Sequence, residues 1–150
     1  MKMQNFFLII GVISLLCQSC ASSSSPENNQ QGNGGLVNLG NGICRQENGL
    51  MWQVEKSKTF TSSQEALAYT QTLTLGNHDD WRLPSKEELY ELCQLFEMNL
   101  AGNCPIKLKG SYWLTNGDIH AGEWESYPIC GGSELKYLKS KMGSVLAVRP

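Results

Sequence analysis

A short aromatic and acidic stretch in the C-terminal half carries the side chains best suited to bind a ligand. Trp124 lies between Glu123 and Glu125, and Tyr127 follows closely. Aromatic rings offer flat apolar faces with a polar edge, which suits a sugar or a protein partner. In a β-strand, alternation places Trp124 on one face and both glutamates on the other, which is also typical of a half-buried structural strand. The stretch is therefore a candidate ligand site with a structural alternative.

Clusters of carboxylate and amide oxygens are the second candidate chemistry. Asp79 and Asp80 form one cluster, and Asn116 and Asp118 form another. Calcium requires hard oxygen ligands of this kind. Both clusters lie at predicted turns, where Asp and Asn are favoured for backbone reasons. We keep Asn116 and Asp118 as candidate ligand-binding residues and expect no bound metal.

Three lysines near the C-terminus, Lys136, Lys139 and Lys141, form a small basic cluster. Such a cluster suits a sulfated polysaccharide or an anionic lipid surface. Lysines that keep a strand edge from aggregating explain it equally well. The formal net charge is −2, and the loss of Lys2 with a signal peptide would leave 11 basic and 14 acidic side chains. This balance argues against a nucleic-acid partner.

Catalysis has little support in the sequence. His78 and His120 have no metal-binding spacing, and no Gly-x-Ser-x-Gly stretch is present. We expect no enzyme activity and no cofactor.

The cysteines beyond the N-terminal region are an even set: Cys44, Cys93, Cys104 and Cys130. In an exported chain this predicts two disulfides with three possible connectivities. We favour Cys93 with Cys104, closing the loop after a helix, and Cys44 with Cys130, tying an early strand to a late one. A tetrahedral metal site is the rival, but these four cysteines include no C-x-x-C pair.

The strongest structural signal is the segment Trp81–Leu89. Ser85 can cap a helix, and Glu88 stands three residues later, where it completes a capping box after Pro84. An apolar stripe at helical spacing follows, which predicts a helix over 86–96. Trp81 and Arg82 suit a ligand platform, but we expect Trp81 in the core and Arg82 bonded to a carbonyl or a helix carboxylate. For Arg149, as for Arg82, we expect a structural bond to the protein rather than a contact with a ligand.

Other patterns place strands on both sides of two helices. Asn48-Gly49 predicts a tight hairpin turn, and serines and glutamate after Phe60 predict the start of a first helix. The chain is therefore α+β. The predicted elements are strands at 43–45 and 50–54, a helix at 63–75, and strands at 112–115, 119–124, 136–138 and 144–148.

Four stretches of the chain resemble one protein family: Asn48–Gln53, Asp80–Leu89, Tyr112-Trp113 and Ala147–Pro150. The family is that of bacterial extracytoplasmic domains like the C-terminal domain of the Legionella collagen-like adhesin. It resembles, distantly, the C-type lectin-like fold. The resemblance implies a lectin-like domain with a small antiparallel sheet in which N- and C-terminal strands pair. It also favours binding to carbohydrate or glycosaminoglycan.

The N-terminal region reads as a targeting segment. Lys2 precedes a short apolar run, and Cys17-Gln18-Ser19-Cys20 resembles a lipoprotein signal. We expect residues 1–19 to be removed, Cys20 to be lipidated, 20–35 to form a flexible tether, and 36–150 to form one domain. Because Ala21 follows the cysteine, the outer membrane is favoured.

These patterns together predict an envelope-anchored lipoprotein with a non-enzymatic, adhesin-like recognition domain. The alternative is a structural or accessory lipoprotein that docks an envelope protein.

Overall fold

The computed structural model describes residues 35–150. The predicted signal peptide, the lipidated Cys20 and nearly all of the tether lie outside these residues. Gly35, which we placed in the tether, accepts a 2.9 Å hydrogen bond from the Glu47 amide. Gly35 is therefore bonded to the domain that we predicted to begin at residue 36. Between residues 35 and 150, no helix is long and apolar enough to cross a membrane.

The described residues form an α+β fold, as predicted, with two helices and two antiparallel sheets. The elements in chain order are β1 (Leu36–Gly40), β2 (Ile43–Gln46), β3 (Met51–Gln53), α1 (Ser63–Thr72), α2 (Lys86–Glu97), β4 (Tyr112–Asn116), β5 (Asp118–Ile129), β6 (Gly132–Ser140) and β7 (Val148–Arg149).

The first sheet has the strand order β1-β2-β3-β7. Its N-terminal strands therefore share a sheet with the C-terminal strand, as the resemblance implied, and the direct neighbour of β7 is β3. Trp52 is the central residue, since it pairs with Cys44 on one side and Val148 on the other. The predicted hairpin joins β2 and β3, with Gly49 at a φ of 98° that favours glycine.

The second sheet has the order β4-β5-β6, and β5 and β6 form a long two-stranded ribbon. We expected β5 to end at Trp124, and Gly122 to weaken it. Instead β5 reaches Ile129. Gly122 is accommodated because the Tyr137 side chain from β6 lies over it, in the space that a Cβ atom would occupy. The glycine therefore makes room for an aromatic ring.

Residues 144–147 link the two sheets. We predicted a strand over 144–148, but only Val148–Arg149 is regular strand. The carbonyl of Ser144 accepts from Trp113 of the second sheet, whereas that of Ala147 accepts from Gln53 of the first, both at 2.9 Å. Because the backbone partners change along the segment, no continuous ladder forms.

The two helices differ in how well the sequence predicted their ends. The capping box of α2 is present, and the helix extends one residue beyond the predicted end. α1 ends at Thr72, three residues early. Gly76 and Asn77 have φ values of 61° and 64° and form a tight turn in which Leu75 and His78 exchange backbone hydrogen bonds. These two residues therefore form a separate turn beyond the end of α1.

One disulfide joins Cys44 of β2 to Cys104 in the core, and Cys93 and Cys130 are free thiols. Both predicted pairings are wrong. The chain after α2 turns back so that Cys104 lies against β2, with a Cα–Cα distance of 5.9 Å to Cys44. Cys130 is exposed at the turn between β5 and β6, beyond the last paired residues, and Cys93 is half-buried on α2.

Candidate functional site

Trp124 lies on the face of the β5–β6 ribbon that packs against α2. Its ring centroid is 4.7 Å from that of Tyr90 on α2 and 5.2 Å from that of Tyr137, its cross-strand partner on β6. Both pairs are tilted, the geometry that aromatic quadrupoles favour. The three rings therefore form one continuous aromatic surface.

Lys86 adds a positive charge to this surface. Its ammonium nitrogen lies 4.5 Å from the centroid of the Tyr137 ring and 5.4 Å from that of Trp124. The capping box fixes Lys86 as the first residue of α2, and Tyr90 follows one turn later on the same side. We call Lys86, Tyr90, Trp124 and Tyr137 the Trp124 face. A shallow pocket of about 200 Å³ opens beside it and is lined by Lys86, Glu87, Tyr90 and Trp124.

Two buried donors on the Trp124 face have no hydrogen-bond partner among the described residues: Trp124 Nε1 and the Tyr137 hydroxyl. Buried polar groups are normally paired, so these two donors are exceptions within the described residues. Burial, and secondarily the charge of Asp118, raises the pKa of Tyr137. The hydroxyl is therefore a donor at neutral pH. His120 Nδ1 is also unpaired, because Asp118 at 3.5 Å is too distant for a strong bond.

The other predicted members of the aromatic and acidic stretch, Glu123, Glu125 and Tyr127, lie on the opposite face of the ribbon. The Tyr127 hydroxyl donates to Glu125 at 2.7 Å, and this bond raises the pKa of Tyr127. Lys136 lies 5.4 Å from the centroid of the Tyr127 ring. Glu123 accepts from the Ser111 hydroxyl at 3.3 Å. The predicted alternation is therefore present, and it separates Trp124 from both glutamates.

The remaining candidates are dispersed. Asn116 and Asp118 flank the β4–β5 turn. Lys139 is exposed opposite Gly122, and Lys141 is exposed just after β6. Within the described part of the chain, no group of three or more His, Cys, Asp or Glu side chains is placed to hold a metal ion.

The segment that starts α2 has structural roles, as we expected. Trp81 is 4% exposed, and its indole nitrogen donates to the His78 carbonyl at 3.1 Å. Arg82 makes a bidentate pair with Glu88, at 2.8 and 2.6 Å, which lowers the pKa of that carboxyl. Arg149 pairs with Asp80 in the same way, at 2.6 and 2.9 Å.

Three members of the Trp124 face were missed from the sequence: Lys86, Tyr90 and Tyr137. The i, i+4 spacing of Lys86 and Tyr90 on a confidently predicted helix was a usable signal, because it places both on one side. Tyr137 lay in a predicted strand, but nothing local in the sequence specified its pairing with Trp124.

Comparison with known proteins gives a family. No curated protein and no solved structure matches the chain, so the lectin-like fold stays a prediction. The family model of the Lcl C-terminal domain matches residues 41–149. The match includes the stretches that carried the resemblance, from Asn48 to Arg149. The chain therefore belongs to the Lcl C-terminal domain family.

Proposed function

We propose that residues 36–150 form a non-enzymatic, adhesin-like recognition domain that binds a carbohydrate polymer through the Trp124 face. The domain needs no cofactor and does not bind nucleic acid. It is held at the outer membrane of the cell envelope by a lipid on Cys20 and a flexible tether. Membership of the Lcl C-terminal domain family supports the adhesin-like role.

The observation that carries this proposal is the position of Lys86 above two aromatic rings. Sugars present an apolar ring face and a polar rim, which complement an aromatic surface with a few donors at its edge. The Lys86 ammonium lies within 5.4 Å of the Trp124 and Tyr137 ring centroids, so it reaches the space above both rings. There it attracts sulfate or carboxylate groups, which favours an anionic glycosaminoglycan over a neutral glycan.

A glycan array followed by calorimetry on the strongest ligand tests the proposal. We expect binding by the full chain, loss of binding in W124A, and no change in Y127A, its matched control on the opposite face of the same strand. Circular dichroism must show that W124A remains folded, because its ring packs against Tyr90 and Tyr137.

The charge of Lys86 is tested separately. K86Q keeps a polar side chain of similar reach, and we expect it to weaken binding of chondroitin sulfate by roughly fivefold, or about 1 kcal/mol, while leaving the binding of a neutral glycan unaffected. Equal losses in W124A and Y127A, or no glycan binding at all, would contradict the proposal.

The envelope location has its own experiment. Protease treatment of intact cells, followed by immunoblotting, is expected to digest a domain on the cell surface. A domain that survives shaving and is cleaved only after the outer membrane is opened would face the periplasm and would not act as an adhesin.

A further inference from the structure

A second concave surface lies between the end of α2 and the outer half of the β5–β6 ribbon. This groove has a volume of about 470 Å³. Its apolar lining includes Tyr90, Met98, Ile129 and Leu135, and two carboxylates, Glu97 and Glu134, stand beside them. We call this surface the helix-end groove. Only Tyr90 is shared with the Trp124 face.

Large apolar side chains are unusually exposed here. Met98 is 56% exposed and Ile129 is 53% exposed. They approach the groove from different elements, one from the residue after α2 and the other from the end of β5. Exposed apolar side chains that gather around a concavity are typical of interaction sites.

The charge of the groove is not balanced. Glu97 is the last residue of α2, where the helix dipole disfavours a negative charge, and the last turn has no basic residue. Its carboxylate accepts from the hydroxyls of Ser126 at 2.8 Å and Ser133 at 3.3 Å. These neutral donors hold the carboxylate in place without neutralising it. In residues 35–150, Glu97 makes no ion pair, whereas Glu134 is 3.4 Å from Lys136.

We propose that the helix-end groove docks an extended segment of a partner protein in which every second residue faces the groove and these residues are an arginine or lysine between two apolar ones. The basic group meets the positioned carboxylate of Glu97, and the flanking apolar side chains cover Met98 and Ile129. Charge complementarity selects this occupant, because an acidic segment would meet two carboxylates and a purely apolar one would leave Glu97 unpaired. The proposal does not depend on glycan binding, because Trp124 and Lys86 do not line the groove.

The test is titration of the ¹⁵N-labelled full chain with a model peptide, acetyl-Ile-Ser-Arg-Ser-Leu-amide, monitored by the chemical shifts of the backbone amides. We expect shifts confined to residues 94–98 and 129–135, and weaker binding at higher salt. E97Q is expected to weaken binding about fivefold. E91Q is the matched control, since Glu91 is an exposed carboxylate on α2 outside this groove. M98S checks the apolar contribution at an exposed position that does not support the core.

Several results would overturn the proposal. One is no binding at about 1 mM peptide, or equal binding of a peptide with glutamate in place of the arginine. Another is a set of shifts centred on Trp124. A concentration-dependent dimer that I129S abolishes would show that a second copy of the chain occupies the groove instead.

Discussion

Removal of the Cys44–Cys104 disulfide should be the most damaging simple change to this domain. The two cysteines are 60 residues apart, and both are buried, at 0% and 8% exposure. In the loop-entropy model, a crosslink of this span removes roughly 14 cal/mol/K from the unfolded state, or about 4 kcal/mol at 25 °C. Because domains are commonly stable by about 5–15 kcal/mol, C44A/C104A should be marginally folded.

The assay is urea unfolding followed by tryptophan fluorescence, with Cys17 and Cys20 replaced by serine in every protein. We expect C44A/C104A to lower the free energy of unfolding by about 4 kcal/mol. The matched control is C93A/C130A, which removes two free thiols, one half-buried and one exposed. It should lose about 1 kcal/mol or less. A reductant should destabilise the control and leave C44A/C104A unchanged.

Two outcomes would refute this reasoning. If C93A/C130A were destabilised as strongly as C44A/C104A, or if mass spectrometry found Cys93 or Cys130 in a disulfide, the connectivity would be wrong. If the Cys44–Cys104 bond were present but its removal cost far less than about 4 kcal/mol, the loop-entropy account would fail for this domain.

Three further predictions concern single sites. E88Q should destabilise the domain by about 1 kcal/mol, because it weakens the capping box and the pair with Arg82. The folded-state pKa of Glu88 lies below its ordinary value of 4.5, so the extra stability of the wild type should be full above that pH and should disappear as the pH falls through the lowered pKa. A difference in thermal midpoint between the two proteins that stays constant from pH 7 to pH 3 would contradict this. G122A should lower the free energy of unfolding in urea by about 1–3 kcal/mol, because the new methyl group overlaps the Tyr137 ring and lies 2.6 Å from a backbone oxygen. An unchanged urea midpoint would show that the ring moves freely. Maleimide at pH 7 should label Cys130 in the native protein but not Cys93. The reason is that burial, with a smaller contribution from the charge of Glu97, raises the pKa of Cys93 to about 12. Equal labelling rates of the two cysteines, measured by mass spectrometry, would contradict the burial of Cys93.

Local signals in the sequence predicted those elements whose causes are local. The capping box of Ser85 and Glu88 gave α2 to within one residue, and the Asn48-Gly49 turn gave the first hairpin. The alternation around Trp124 gave the two faces of β5. In each case the residues that decide the structure lie within a few positions of one another.

Features that depend on distant contacts were not predictable. The partner of Cys44 is chosen by the path of the chain after α2, which no local pattern encodes. Likewise, the length of β5 depends on Tyr137 covering Gly122, and the Trp124 face needs α2 to pack against the ribbon. The sequence identified Trp124 as a candidate, but the side chains that complete its surface come from elements far away in the chain.

The linking segment 144–147 and the following β7 have a consequence for when this domain can fold. Their backbone partners lie at positions 51–53, 57, 82, 111 and 113, so strands of both sheets bond to these residues. The strands β4, β5 and β6 pair with one another without this segment, but the first sheet is incomplete until β7 is available, and we expect late, cooperative folding dominated by long-range contacts. A polypeptide whose long-range contacts form late can pass unfolded through a narrow translocation channel, which suits a protein that we propose is exported.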